Sequence, residues 1–259
     1  MSEPPEPDFA ALYDAHPDYA ARREAGSLAQ AQIDIEVRQF KLPFLLQQLP
    51  PGEPLGDVIE IGCATGELIG SLPADGGRRI GVDISPHNVQ AARQRFEQVE
   101  FVAGDFRALG LPPARTVILS DVLEHVPDDT GFLRAAARLG EQLLVNLPLE
   151  DNWLNRRRRY GPDDVSGHLR RYGLADGLAL FAQAGLEAVA FRQVWIHETE
   201  AEAARRALRH ERLGSAWSGS PPARLAKQAV HGLAVAWPAF GRRLYASNLF
   251  AALRWRQHP

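Results

Sequence analysis

Cysteine is almost missing from this chain. Cys63 is the only one in 259 residues, which excludes an intramolecular disulfide and a cysteine-based zinc site and suits a reducing cytoplasm. An excess of charge of one sign is missing too. With a net charge of -3 there is no basic surface of the kind that holds long nucleic acid through many phosphate contacts. No apolar run reaches the length of a membrane span. The opening MSEPPEPDFAALYDAHPDYAARR lacks the basic n-region and apolar h-region of a secretory signal. These absences predict a cytoplasmic globular protein. At 45% hydrophobic and 24% charged, the chain can bury one large core or two modest ones. Internal repeats and low-complexity segments are absent as well.

What is present is an alternation. Short apolar runs, DVIEIG, RRIGVD, VEFVAGD, RTVILSD and QLLVNLP, are separated by helix-leaning stretches, a pattern of βα units around a mainly parallel sheet buried on both faces. AVAFRQVWI (188–196) and LYASNLFAALRW (244–255) supply two further strands. The expectation is a Rossmann-like seven-stranded α/β domain, helices on both faces, over residues 53–259. A leader and helical cap, residues 1–52, precede it, with helix from about Pro17 to Leu49 interrupted at Pro43. A helical insertion, about 198–241 and broken at SGSPP, comes before the last strand.

In such a sheet, ligands sit beyond the carboxyl ends of the strands, and the first βα turn is the usual anchor. That turn lies in VIEIGCATGE, where Gly62, Ala64 and Gly66 permit close backbone approach. A dinucleotide fingerprint is broken, because Glu67 stands where the third glycine would let a pyrophosphate dock on the helix. A cofactor without phosphates tolerates that acid, and Glu60 offers an acceptor for a cationic amino-acid moiety.

VIEIGCATG resembles the first motif of class I S-adenosylmethionine-dependent methyltransferases, with Ala64 where the family often has glycine. IGVDIS, VAGDF, ILSDVLEHV and GHLRRYGLADGLALFAQAGLEAV resemble later motifs of the small-molecule branch that includes ubiquinone-biosynthesis O-methyltransferases, in the same order. The resemblance implies S-adenosyl-L-methionine as cofactor, with Glu60, Gly62, Ala64, Gly66 and Asp121 around it. It further implies that Asp83 accepts from the ribose hydroxyls, Ile84 packs on adenine, Asp105 meets the adenine amino group and Phe106 its ring edge. The bland alternatives are that Asp83 and Asp105 cap helices and that Ile84 and Phe106 are core.

Methyl transfer from a sulfonium is an in-line displacement, so alignment and exclusion of water come first, and a hydroxyl acceptor must also lose its proton. After the fourth strand stand Glu124 and His125, and His168 lies downstream of the fifth, so these three are the catalytic candidates. The alternative is a structural Glu124–His125 pair at a loop tip. The resemblance also allows a divalent metal among Asp121, Glu124, His125 and His168, although no metal is expected as the main reading. Arg156 to Arg159 either clamp an acidic acceptor or sit solvated and paired to Asp163 and Asp164.

The expected reaction is therefore methyl transfer to a small-molecule or glycan-type acceptor, at a hydroxyl oxygen. N-methylation of a metabolite and a catalytically silent methyltransferase-like binding subunit are the alternatives. The run ARLAKQAVHGLAVAWPAFGRR places Leu225, Val230, Leu233, Val235 and Trp237 on a helix. Packing over the crevice is expected first, a homodimer contact second, and peripheral membrane contact through 222–243 third.

Overall fold

The computed structural model describes residues 27–161, 164, 166–213 and 220–256, so the leader up to residue 26 and the helix start near Pro17 lie outside the described residues. Strands β1 (Val58–Ile61), β2 (Arg79–Asp83), β3 (Glu100–Ala103), β4 (Ala114–Ser120), β5 (Gly140–Leu149), β6 (Leu186–Val194) and β7 (Ser247–Trp255) form one sheet of seven. Its order is β3-β2-β1-β4-β5-β7-β6. The first five strands are parallel, and β7 runs antiparallel between β5 and β6. Reversal of the crossovers on either side of β1 and β4 opens the crevice that holds the site.

Alternation along each strand divides the core into two layers, since successive side chains point to opposite faces. Ile59, Ile61, Val117, Leu119, Val145 and Leu249 face the layer covered by α5 (Asp129–Ala137) and α6 (Leu174–Gln183). Val58, Ile118, Leu144 and Phe250 face the other, which is covered by the short α3 (Glu67–Gly70), α4 (Pro86–Arg95) and the N-terminal helix.

Pro43 does not interrupt that N-terminal helix as expected. The helix runs on through α1 (Ser27–Asp34), a π-helical stretch at Ile35–Lys41, and α2 (Leu42–Leu46). Proline has no N–H for the interior of a helix, but it is harmless in a first turn. Widening the preceding turns, with Leu42 N–H donating to Val37, places Pro43 at the start of a fresh α segment.

The insertion also departs from expectation. It forms α7 (Ala201–Leu213), α8 (Pro221–Ala236) and α9 (Pro238–Leu244), but α8 buries only His231 and Ala234. Leu225, Val230, Leu233, Val235 and Trp237 are exposed, so that apolar side does not pack on the domain. The reason lies in where the insertion is tied down. Helix α7 packs on the N-terminal helix, and the end of α9 is hydrogen-bonded to Trp153 and Leu154, which leaves α8 on the outside.

Phe250 joins strand β7 to the N-terminal helix. It is fully buried, edge-on to Phe40 at 5.5 Å and stacked on Phe44 at 5.6 Å. Phe250→Ala is expected to lower unfolding stability by about 3–5 kcal/mol, read from denaturant unfolding.

Candidate active site

The site begins where β1 ends. Gly62 and Cys63 both donate backbone N–H to the Val82 carbonyl, at 2.7 and 3.0 Å, which folds the turn against β2. Gly62 has φ 78°, and a Cβ there would meet Val122 at 2.5 Å, so only glycine lets the turn lie under the segment after β4. Ala64 also has a left-handed φ of 46°, held by donation of its N–H to Asp83 Oδ2 at 2.8 Å. The other oxygen of Asp83 accepts from Ser85 N–H at 2.9 Å. The cap of α4 is Ser85 itself, whose hydroxyl accepts from Asn88, so Asp83 serves to bridge two turns.

Two cavities open at the strand ends. The first is lined by Ile61, Asp83, Ile84, Asp105, Phe106, Asp121, His125 and Phe132, among others, and is largely apolar. Ile84 stands exposed on its rim, whereas Phe106 is buried against Phe132 at 4.9 Å and so belongs to the core as well as the wall. Asp105 is ion-paired with Arg107 at 2.6 Å, and that guanidinium holds its carboxyl below the usual range. The second cavity is polar, with Lys41, Glu60, Ala64, Glu67, Asp121, Glu124, His125 and His168 on its walls. Gly62, Asp121 and His125 line both, so the two cavities meet there. Gly66 lines neither; a Cβ on it would strike Phe101 at 2.7 Å, so its part is in packing the turn.

Asp121 has the left-handed φ of 56°, rare for a residue with a side chain, immediately after β4. Lys41 ion-pairs with it at 2.8 Å, while Ser120 Oγ and Asn146 Nδ2 donate to the same oxygen. The sequence reading missed Lys41 and Asn146. Nothing local marks them, because Lys41 arrives from the N-terminal helix and Asn146 from the neighbouring strand β5. Glu67, read there only as a misplaced third glycine, is buried, accepts from Thr65 Oγ1 and pairs with Arg95.

The three catalytic candidates converge. His125 Nδ1 lies 3.0 Å from the Gly167 carbonyl, which can only accept, so the proton is on Nδ1 and the lone pair of the neutral ring is on Nε2. That Nε2 is 3.7 Å from Glu124 Oε1. The rings of His125 and His168 are edge to face at 4.7 Å, and Glu150 receives His168 Nδ1 at 2.6 Å. Glu124 is buried, neither of its carboxyl oxygens has a hydrogen bond among the described residues, and burial pushes its pKa well up. Glu150 was also missed; it links His168 to Arg158 at 2.8 Å.

Of the arginine run, Arg158 is structural. It holds Asp164 at 2.7 Å, pulling that carboxyl down to about 2, and lies over Tyr160. Arg156, Arg157 and Arg159 are exposed, and Asp163 lies outside the described residues.

Residues 59–142, strands β1 to β4 and the start of β5, match a family model described as a methyltransferase domain. This chain contains a class I S-adenosylmethionine-dependent methyltransferase domain. The domain is 29% identical over 114 residues to a ubiquinone biosynthesis O-methyltransferase of Methylocella silvestris, covering 41% of this chain and 44% of that protein. A protein of the same name from Xanthomonas oryzae is 33% identical over 97 residues, covering 32% and 37%. The chain thus spans less than half the length of these curated relatives.

The fold extends further than the sequence match. A magnesium protoporphyrin IX methyltransferase from Synechocystis, solved with S-adenosylmethionine, superimposes with a TM-score of 0.55 at 17% identity, over 98% of this chain and 100% of that one. The cyclopropane synthase of Mycobacterium tuberculosis gives 0.58 at 14% identity, over 95% and 97%. Two different chemistries on one scaffold show that these likenesses define the fold and leave the reaction to the site.

In the methyltransferase domain Glu60 is fully buried and accepts one hydrogen bond, from Ile69 N–H at 3.0 Å. Burial raises its pKa from 4.5 to about 8. The folded protein therefore keeps a proton that the unfolded chain releases, so the contribution of Glu60 to stability is full below pH 4.5 and is lost as pH rises toward 8. Glu124 adds in the same sense. In the cofactor-free protein, Glu60→Gln is expected to flatten the fall in stability across this window by up to about 1.4 kcal/mol per pH unit, measured by denaturant midpoints at several pH values.

Proposed function

We propose that this protein transfers the S-methyl group of S-adenosylmethionine to a hydroxyl oxygen of a small-molecule or glycan-type acceptor. The observation that carries the reading is the position of His125. It lies where the two cavities meet, with its Nδ1 proton committed to the Gly167 carbonyl and its Nε2 left as the basic atom. The apolar cavity suits adenosine, with Asp83 toward the ribose, Ile84 on the adenine face and Asp105 at the adenine edge. The polar cavity suits the amino-acid end of the cofactor and the acceptor, and Glu60, ionised by the approach of an ammonium group, would pair with it.

In the transfer, the acceptor oxygen forms a bond to the methyl carbon while the carbon–sulfur bond breaks, and the electron pair stays on sulfur as S-adenosylhomocysteine forms. The hydroxyl proton passes to His125 Nε2. Glu124, 3.7 Å away, faces the imidazolium so formed, and His168 with Glu150 closes the acceptor side. The names of the curated relatives support oxygen as the acceptor atom. N-methylation and cofactor binding without turnover are distinguished by the acceptor panel below.

A second reading has an observation of its own. The hydrogen-bond-free Glu124 carboxyl offers an oxygen within 4.8 Å of a nitrogen on each of His125 and His168. Such a set of oxygen and imidazole donors would take a divalent ion, which would bind the acceptor oxygen and lower its proton affinity.

Turnover against sugar, quinone, phenol and amine acceptors is expected to select a hydroxyl compound. His125→Ala is expected to cost about 10²–10⁴ in kcat at neutral pH while calorimetry still detects cofactor binding. Unchanged turnover in that variant removes His125 as base, and turnover of amines alone removes the oxygen acceptor. Full activity after chelation disposes of the metal.

A further inference from the structure

Away from the crevice, a second group of metal-ligating side chains is gathered where the insertion leaves the sheet. His197 stands on the 3-10 turn after β6 (Ile196–Glu198), Glu202 in the first turn of α7, and His231 in the middle of α8. Their offered ligand atoms all lie within 4.8 Å of one another. His197 Nδ1 is 3.0 Å from Glu202 Oε2, and the His197 and His231 rings are 4.9 Å apart. Glu202 is 2% exposed and His231 5%. We propose that His197, Glu202 and His231 form a zinc site that fastens the insertion to the end of β6.

Three features favour this assignment. Two imidazoles and one carboxylate are a donor set that zinc takes in four-coordinate form, with a water or further donor completing it. Ligands on bonds of about 2.0–2.1 Å around a tetrahedral ion are roughly 3.3 Å apart, and the three donors here, all within 4.8 Å of one another, lie near that spacing. The ligands also come from three successive segments, and one of them, α8, has little else to hold it, since it buries only His231 and Ala234.

The surroundings are built like a metal site's outer shell. Trp195 is fully buried, packs on both histidine rings at 4.8 and 6.0 Å, and stacks on Tyr245 at 5.2 Å, so the ligands sit against an apolar wall. Glu202 faces other charges too. Arg206 lies 3.5 Å from its Oε1 and Arg205 4.0 Å from Oε2. Arg206 leaves Oε2 toward the histidines, and Arg205 must swing out for a cation to enter. An ordinary His197–Glu202 ion pair is the rival explanation.

The test uses the full chain in a His168→Ala background, so that the group in the crevice does not contribute. After chelation and dialysis against zinc chloride, elemental analysis is expected to find one zinc per chain, lost in His231→Gln and in Glu202→Gln. Zinc should raise the melting temperature by several degrees and slow tryptic cleavage at Arg224 and Lys227, and neither effect should survive in those variants. Cobalt(II) in the same background should give the intense visible bands of a tetrahedral ion, a readout that needs no second substitution. No zinc on the His168→Ala protein, or the same zinc content with His231→Gln as without it, overturns the proposal. Cobalt bands of weak octahedral type overturn it as well.

Discussion

The Asp83 carboxylate is the contact on which the ligand-binding end of this fold depends. One oxygen takes the N–H of Ala64 in the first βα turn, the other takes the N–H of Ser85 in the second, and the two turns are thereby clamped at a fixed separation. Charge-assisted hydrogen bonds of this kind, buried at a strand end, contribute more than neutral ones. Ala64 can hold its left-handed φ because its N–H is committed there, which is how the turn manages without a glycine at that position. Asn88 Nδ2 also donates to the oxygen that takes Ser85, at 3.4 Å, so the clamp reaches into the first turn of α4. The residue that shapes the turn also lines the apolar cavity.

A second tier of ion pairs ties the crevice to what surrounds it. Lys41 reaches Asp121 from the N-terminal helix, and Glu150 collects His168 and Arg158. The left-handed backbone of Asp121 is affordable because its carboxylate is held from three directions. These contacts fix the orientations of Asp121 and of the His168 imidazole at the polar cavity.

Much of this was legible in the sequence, and the exceptions have physical causes. Strand ends followed by Asp83, Asp105 and Asp121 were readable because parallel strands are nearly continuous apolar runs and turn residues punctuate them. The meeting of Glu124, His125 and His168 followed from their places after β4 and β5. Lys41 and Glu150 were not readable, since their partners are set by tertiary placement and no local spacing announces them. Pro43 misled because a proline normally stops a helix, and a widening to π geometry leaves no mark in the residue pattern. Helix α8 misled for the opposite reason. Its apolar periodicity is real, but periodicity names a face without naming what covers it.

The antiparallel strand β7 has a consequence for how the molecule is made. It is the last of the seven strands in chain order, yet it lies inside the sheet, with β5 on one side and β6 on the other. Until it arrives, β5 presents an open edge and β6 has no partner at all, and the aromatic surface of Phe40 and Phe44 waits for Phe250. Closure therefore couples residues about a hundred positions apart in one late step, the sort of long-range pairing that slows folding and leaves nascent chains sticky. The sheet is thus locked by the strand that comes last of the seven in chain order, and a chain lacking β7 would be a client for chaperones.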